Sequence, residues 1–296
     1  MKIFDCFMYY DEDLILDLRL NYLNDYVDKF IIVESTYTHS GESKKLLFDI
    51  NKYSKFKNKI NYVVLDTPPV GIQHINETDT EHQRNSKYIL NAVKRENLQR
   101  DTIIKGLDSA QANDIIIISD LDEIPNLEDN KIGNIKNKII LFRQKFFYYK
   151  FNLKLSDYIW HGSKACRKKN LISPQWLRNV KDKIYPFWRI DTLFSNKKYQ
   201  NIKIINNGGW HFSNIKTPAN IEKKMKTYLH HREYELNPIG EKKINEIIKQ
   251  KKPIYNLKTD MRSNKFDLSD KLIVAEIDEL PYYIQRNINK YKNWLN

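Results

Sequence analysis

Three carboxylates fall within four residues at Asp120, Asp122 and Glu123, directly after the run Ile115-Ile116-Ile117-Ile118-Ser119. In extended backbone Asp120 and Asp122 point to one side and Leu121 to the other. Two hard oxygen ligands on one side suit Mg²⁺ or Mn²⁺, and such an ion suits a diphosphate. A solvated acidic turn after a buried strand would have the same local pattern, so Asp-x-Asp alone is a weak signal; the strand in front of it gives it weight. A second group is Gly208-Gly209-Trp210-His211. Its glycines let backbone approach a ligand closely, and His211 is a candidate metal ligand or phosphate donor, or else a structural histidine. Arg84 can pair bidentately with a carboxylate or phosphate, or more simply with Glu81.

These groups need elements to hold them. The isoleucine run is β-branched and apolar on both faces, as in a central strand covered on both sides, and Pro125 ends it. Its carboxylates then emerge at the strand's C-terminal end, where open α/β sheets bind ligands. Upstream, residues 3–7, 30–34 and 60–65 read as strands. Residues 11–23 read as a helix whose leucines share a face and whose acidic start suits the helix dipole. Strand, helix, strand, loop, strand is the opening of a parallel sheet. Thr78-x-x-Glu81 fits a capping box for a helix through Tyr88 and Val93, and residues 101–112 suggest another helix. Residues 139–155, rich in Phe and Tyr, suggest one long or two short strands of an antiparallel or mixed extension. Residues 202–205 suggest a further strand. Thr217-Pro218 starts a helix expected to reach about residue 235. Helices are also expected over 240–250 and in the tail at 281–294. The fold class is therefore α/β, a mostly parallel central sheet flanked by helices, in one unit with halves 1–125 and 126–296.

Composition bounds the function classes. The 296 residues suffice for a substantial core, and 12% aromatic content argues against disorder. Two cysteines, Cys6 and Cys166, are too few for a disulfide framework and point to a reducing, cytoplasmic setting. The sequence shows neither a signal-type apolar region before Ile3 nor a long apolar span. The net charge of +13 is uneven: residues 1–150 carry 21 Lys+Arg against 23 Asp+Glu, and residues 151–296 carry 29 against 14. Scattered lysines favour solvated surfaces over nucleic-acid binding, and leave peripheral contact with an anionic membrane as the sharper alternative.

In order along the chain, Asp5-Cys6-Phe7, Ile32-Val33-Glu34 with Thr38-His39-Ser40-Gly41, Gln83-Arg84-Asn85, Asp120 to Pro125, Gly209 to Ser213, His231-Arg232-Glu233 and Leu280-Pro281 resemble glycosyltransferase family 17, a family of N-acetylglucosaminyltransferases. The resemblance implies a GT-A-type fold, a UDP-sugar donor (UDP-GlcNAc by analogy), a glycan acceptor, a Mn²⁺- or Mg²⁺-bridged diphosphate and inversion at the anomeric carbon. On that basis Phe7, Glu34, Arg84, Asn85 and Asp120 are candidate donor-binding residues, and Asp120, Asp122 and His211 candidate metal ligands. Glu123, Asp191 and Glu233 are candidate bases. Trp160, Trp188, Trp210 and His231 are candidate acceptor contacts, with core packing the simpler role for the tryptophans. Residues 150–200 match no block of the family. A haloacid dehalogenase-like phosphatase, whose nucleophile motif is also Asp-x-Asp after a strand, and a non-enzymatic polyanion binder are the alternatives.

Overall fold

The computed structural model describes residues 1–296 except 184, 187, 193, 229–230, 255–270 and the side chain of Glu233. Strands β1 (Ile3–Met8), β2 (Lys29–Ser35), β3 (Ile60–Leu65) and β4 (Ile115–Asp120) pair in parallel in the order β3-β2-β1-β4. The sheet then continues beyond β4 through β9 (Lys164–Arg167), β6 (Ile139–Phe142) and β10 (Ile202–Ile205), with β9 antiparallel to both neighbours. A second sheet has the order β12-β8-β7-β11-β5. Its strands are β5 (Glu123–Pro125), β7 (Gln144–Tyr148), β8 (Leu153–Trp160), β11 (Gly209–Ser213) and β12 (Ile273–Val274). The protein is thus α/β with two mixed sheets. Both draw on both halves of the sequence, so residue 125 is not a structural boundary.

The isoleucine run behaves as its composition demands. Ile115 and Ile117 enter the core shared with helix α1 (Asp13–Leu23), and Ile116 and Ile118 enter the core on the opposite face. A buried aliphatic side chain contributes roughly 1.5–3 kcal/mol, so this strand anchors both layers. The short turn after it carries the chain from the first sheet into the second. Residues 139–155 divide between the sheets: β6 joins the first, and β7 and the start of β8 the second, with Arg143 as the step between.

Several element expectations need correction. The long helix α2 (Glu81–Asp101) is capped by Thr80 with Gln83, not by Thr78 with Glu81, and it absorbs the start of the helix expected at 101–112. Beyond it the chain makes only a 3-10 turn, Thr102–Gly106. The helix expected from 217 to 235 is two: α4 (Pro218–Thr227), with Thr217 as cap, and α5 (His231–Leu236). The glycine pair serves the sheets rather than a ligand: a Cβ on Gly208 would sit 2.6 Å from the Arg143 nitrogen, and one on Gly209 2.1 Å from the Ile124 carbonyl.

Helix α3 (Pro174–Asn179) lies beside α2, and α6 (Gly240–Lys249) packs on α4 over the second sheet. The tail is not one helix but α7 (Tyr282–Arg286) and α8 (Ile288–Tyr291). It closes the main core: the Phe151 amide donates to Trp294 O at 2.8 Å, the Trp210 indole to Glu279 O at 2.7 Å, and Lys290 pairs with Asp17 at 2.5 Å. Among the described residues no helix is long and apolar enough to cross a membrane.

Candidate active site

The acidic turn is fixed from beneath. Arg19, fully buried on α1, forms a bidentate pair with fully buried Asp5 of β1, at 2.6 and 2.7 Å. Its remaining nitrogen donates to the carbonyls of Asp120, Leu121 and Glu123 at 3.1, 3.0 and 2.7 Å. A charged residue inside the apolar run of α1 must find such partners, because an unpaired buried charge is prohibitively costly. Phe7, expected at the donor, instead lies under this guanidinium, 4.6 Å from ring centroid to Arg19 Cζ, and is itself buried.

Above the turn is a cavity of about 460 Å³ at the C-terminal edge of β1, β2 and β4. Asp120, Asp122, His211 and Trp160 all line it, so these four expected site residues do converge. Asp122 Oδ1 lies 3.4 Å from His211 Nε2 and its other oxygen 3.9 Å from Lys224 Nζ on α4. Burial pushes the Asp122 carboxyl up, and His211 and Lys224 more than offset this, so it stays below its usual range. Asp120 accepts from Arg100 at 3.0 Å and from Arg178 at 2.8 Å. Burial opposes its ionisation too, but the guanidiniums of Arg178 and Arg100 win and hold it well below the carboxylate range. His211 packs edge-on to Phe146, with centroids 4.7 Å apart, and beside Trp160 at 5.1 Å; its Nδ1 is buried without a hydrogen bond.

As a donor set for a divalent ion, Asp122 and His211 fit a site in which phosphate oxygens and water supply the other ligands. Asp120 does not fit that role equally, because two arginines occupy its oxygens. Among the described residues no group of three or more His, Cys, Asp or Glu side chains converges on a metal position.

The candidate bases fare differently. Glu123 is fully buried and accepts from the Trp160 indole at 2.6 Å, the Asp120 amide at 2.8 Å and Arg178 at 2.7 and 2.8 Å. Gly162 permits this, since a Cβ there would stand 2.4 Å from the Glu123 carboxyl carbon. These hydrogen bonds engage both of its oxygens and tie Glu123 into the floor of the site. Asp191 is half-exposed outside the cavity and pairs with Arg189 at 2.7 Å and Lys198 at 2.9 Å. The side chain of Glu233 lies outside the described residues. The described carboxylates that do line the cavity each have a cation nearby: Glu12 has Lys216 and Lys224 at 3.5 Å, Glu96 has Arg100 at 2.7 Å, and Asp120 and Asp122 are paired as above.

Other expected contacts lie away from the cavity. Glu34 is buried beneath the 44–48 loop, accepting from Lys44, the amides of Leu47 and Phe48, and Tyr62; it positions Lys44, which does line the cavity. Arg84 and Asn85 stand on α2 facing α5, where Asn85 accepts from Arg232 at 2.7 Å and the Arg84 Nε is buried without a partner. Trp210 is core, Trp188 is 66% exposed outside the cavity, and buried His231 bonds the Tyr228 carbonyl from behind the wall. Arg178 and Lys224, both wall residues, carry no local signal in the sequence, because each meets the acidic turn only through tertiary packing.

A sequence profile of glycosyltransferase family 17 matches residues 1–296. The chain belongs to glycosyltransferase family 17. It is 31% identical over 115 residues to the β-1,4-mannosyl-glycoprotein 4-β-N-acetylglucosaminyltransferases of Homo sapiens and Rattus norvegicus, and 30% to that of Mus musculus. Each match covers 38% of this chain and 19% of the relative, so the shared stretch is about a fifth of those proteins. Membership in family 17 argues against the phosphatase alternative, and in this family-17 chain the Asp-x-Asp turn is the floor of a cavity with cationic walls.

Proposed function

We propose that the chain transfers N-acetylglucosamine from UDP-GlcNAc to a glycan hydroxyl, with inversion, in a GT-A-type site assisted by Mn²⁺ or Mg²⁺. The observation that carries this reading is the Asp120–Asp122 turn at a parallel-strand edge, facing a cavity walled by Lys44, Arg178 and Lys224. Asp122 and His211 would hold the ion, which when bound would neutralise charge on the diphosphate. Arg178 and Lys224 are cations held in place by Glu123, Asp120 and Glu12, and such preorganised charges stabilise a departing diphosphate. Tyr10 and Tyr37 give the cavity planar surfaces suited to a base. In the transfer, the acceptor oxygen bonds to the anomeric carbon as that carbon's bond to the diphosphate oxygen breaks, and UDP leaves with the electron pair. The acceptor proton passes to a base that the described carboxylates do not single out.

Titration calorimetry with UDP tests this. Affinity should rise when Mn²⁺ is added, and Asp122→Asn should remove about tenfold or more of that gain while leaving the melting temperature near that of the parent. Equal Mn²⁺ dependence in Asp122→Asn would sink the metal assignment, and no UDP binding in the parent protein would sink the donor assignment.

A further inference from the structure

A second cavity, of about 380 Å³, adjoins the first and shares Trp160 and Arg178 with it as a common wall. One side is the end of β8, where Tyr158 and Trp160 alternate onto one face with ring centroids 6.3 Å apart. The ledge continues into the first cavity, because Trp160 lies against His211. The other side is the end of α3 and the residues after it, including Asn179, Lys181 and Asp182. The wall is rigid. The Trp160 indole is tied to Glu123, Arg178 donates to the Gly162 carbonyl at 2.6 Å, and Lys164 donates to the carbonyls of Arg178 and Val180 at 2.6 and 2.5 Å.

The polar groups are fixed as well. His161 bonds Asp182 through Nδ1 at 3.0 Å and accepts from Arg143 at Nε2 at 3.2 Å, which fits a neutral ring. Burial also pushes its imidazolium below the usual range. Asn179 accepts from Gln175 at 3.0 Å through its oxygen, which leaves its amide nitrogen as a donor on the cavity lining. Most of the charge is committed, Lys164 to backbone carbonyls, Arg178 to two carboxylates and Asp182 to His161, and Lys181 is the exposed ammonium on the rim. Two aromatic rings with a rim of amide, carboxylate and ammonium groups, most of its charge already paired, suit a ligand with an apolar C–H face and several hydroxyls.

We propose that this second cavity is the acceptor subsite, in which a neutral saccharide lies over Tyr158 and Trp160 and presents one hydroxyl across the Trp160–Arg178 wall. The assignment of this saccharide as the acceptor rests on the first cavity being the donor site. It gives residues 158–182 a role in acceptor choice.

The test uses the full chain and mannosyl-β-1,4-N-acetylglucosamine as probe, read by saturation-transfer NMR in the absence of nucleotide. The parent protein should bind the probe with a dissociation constant of order 1–10 mM. Tyr158→Ala should weaken it about three- to tenfold by removing one stacking ring. Asn179→Trp, which fills the cavity, should abolish the signal. Both variants should keep the parent's affinity for UDP, which also shows that they fold. No probe signal in the parent, or an unchanged signal in Asn179→Trp, overturns the proposal. A sialylated or phosphorylated counterpart that binds more tightly, and loses binding in Asn179→Trp, overturns the neutral class. Loss of UDP binding in the parent with probe binding intact would count against the donor site alone.

Discussion

Replacing Arg19 with methionine would separate the contribution of the buried ion pair from that of the sheet beneath the acidic turn. Arg19 and Asp5 are both fully buried, so the substitution strands a carboxylate in the core. Breaking one side of a buried pair costs about 3–5 kcal/mol. The carbonyls of Asp120, Leu121 and Glu123 also lose their donor, adding on the order of 1 kcal/mol each. The total, roughly 6–8 kcal/mol, is comparable with the 5–15 kcal/mol stability of a whole domain. The melting temperature should fall by about 12–16 °C, taking ~2 °C per kcal/mol at this chain length. The double variant Asp5→Asn/Arg19→Met removes the stranded charge and should melt several degrees above Arg19→Met alone. Arg19→Lys keeps a charge but cannot reach all the acceptors, so it should lose UDP affinity at temperatures where it is still folded. Differential scanning calorimetry of the four proteins decides the matter. An Arg19→Met variant that melts within ~2 °C of the parent, or a double variant no more stable than the single, refutes the argument.

The same geometry sets two further outcomes. Asp191→Ala should leave turnover and melting temperature unchanged, since the described partners of Asp191, Arg189 and Lys198, lie outside the cavity; a collapse of turnover with intact UDP binding would restore it as a base. Burial pushes the Lys164 ammonium down to about 8 from 10.5, so between those pH values the unfolded chain holds more protons and the parent gains stability as pH rises. Denaturant melts at pH 7.5 and 10.5 should show the parent gaining about 1–3 kcal/mol relative to Lys164→Met, and parallel pH dependences would disprove the assignment.

The features legible in the sequence are those that short stretches determine. Four isoleucines followed by acids specify a doubly covered strand and put Asp120 and Asp122 at its mouth, because β-branching and charge act locally. The helix cap is ambiguous because Thr78 and Thr80 offer similar caps, and only tertiary packing selects between them. The pairing of Asp5 with Arg19 leaves half a trace: Asp5 is a lone charge inside the apolar run Ile3–Met8 and calls for a buried cation, whereas Arg19 has Asp17 two residues before it and looks like an ordinary helix charge. Arg178, Lys224 and the division of labour at Glu123 leave none. Arg178 meets Glu123 from 55 residues away, and nothing near either residue encodes the encounter. The glycine pair misleads for the same reason, since the close approach it allows is to Arg143 and Ile124 rather than to a ligand.

The closing of the main core by the tail has a consequence for synthesis. The described lining residues of both cavities lie at or before residue 228, yet the Phe151 amide and the Trp210 indole find their acceptors only at Trp294 and Glu279. A chain emerging from the ribosome therefore carries the residues that line both cavities on a sheet whose aromatic underside is still uncovered. That interval is when such a surface would be open to chaperones and to other nascent copies. Truncating the last 20 or so residues would then lower soluble yield before it altered any residue of the site.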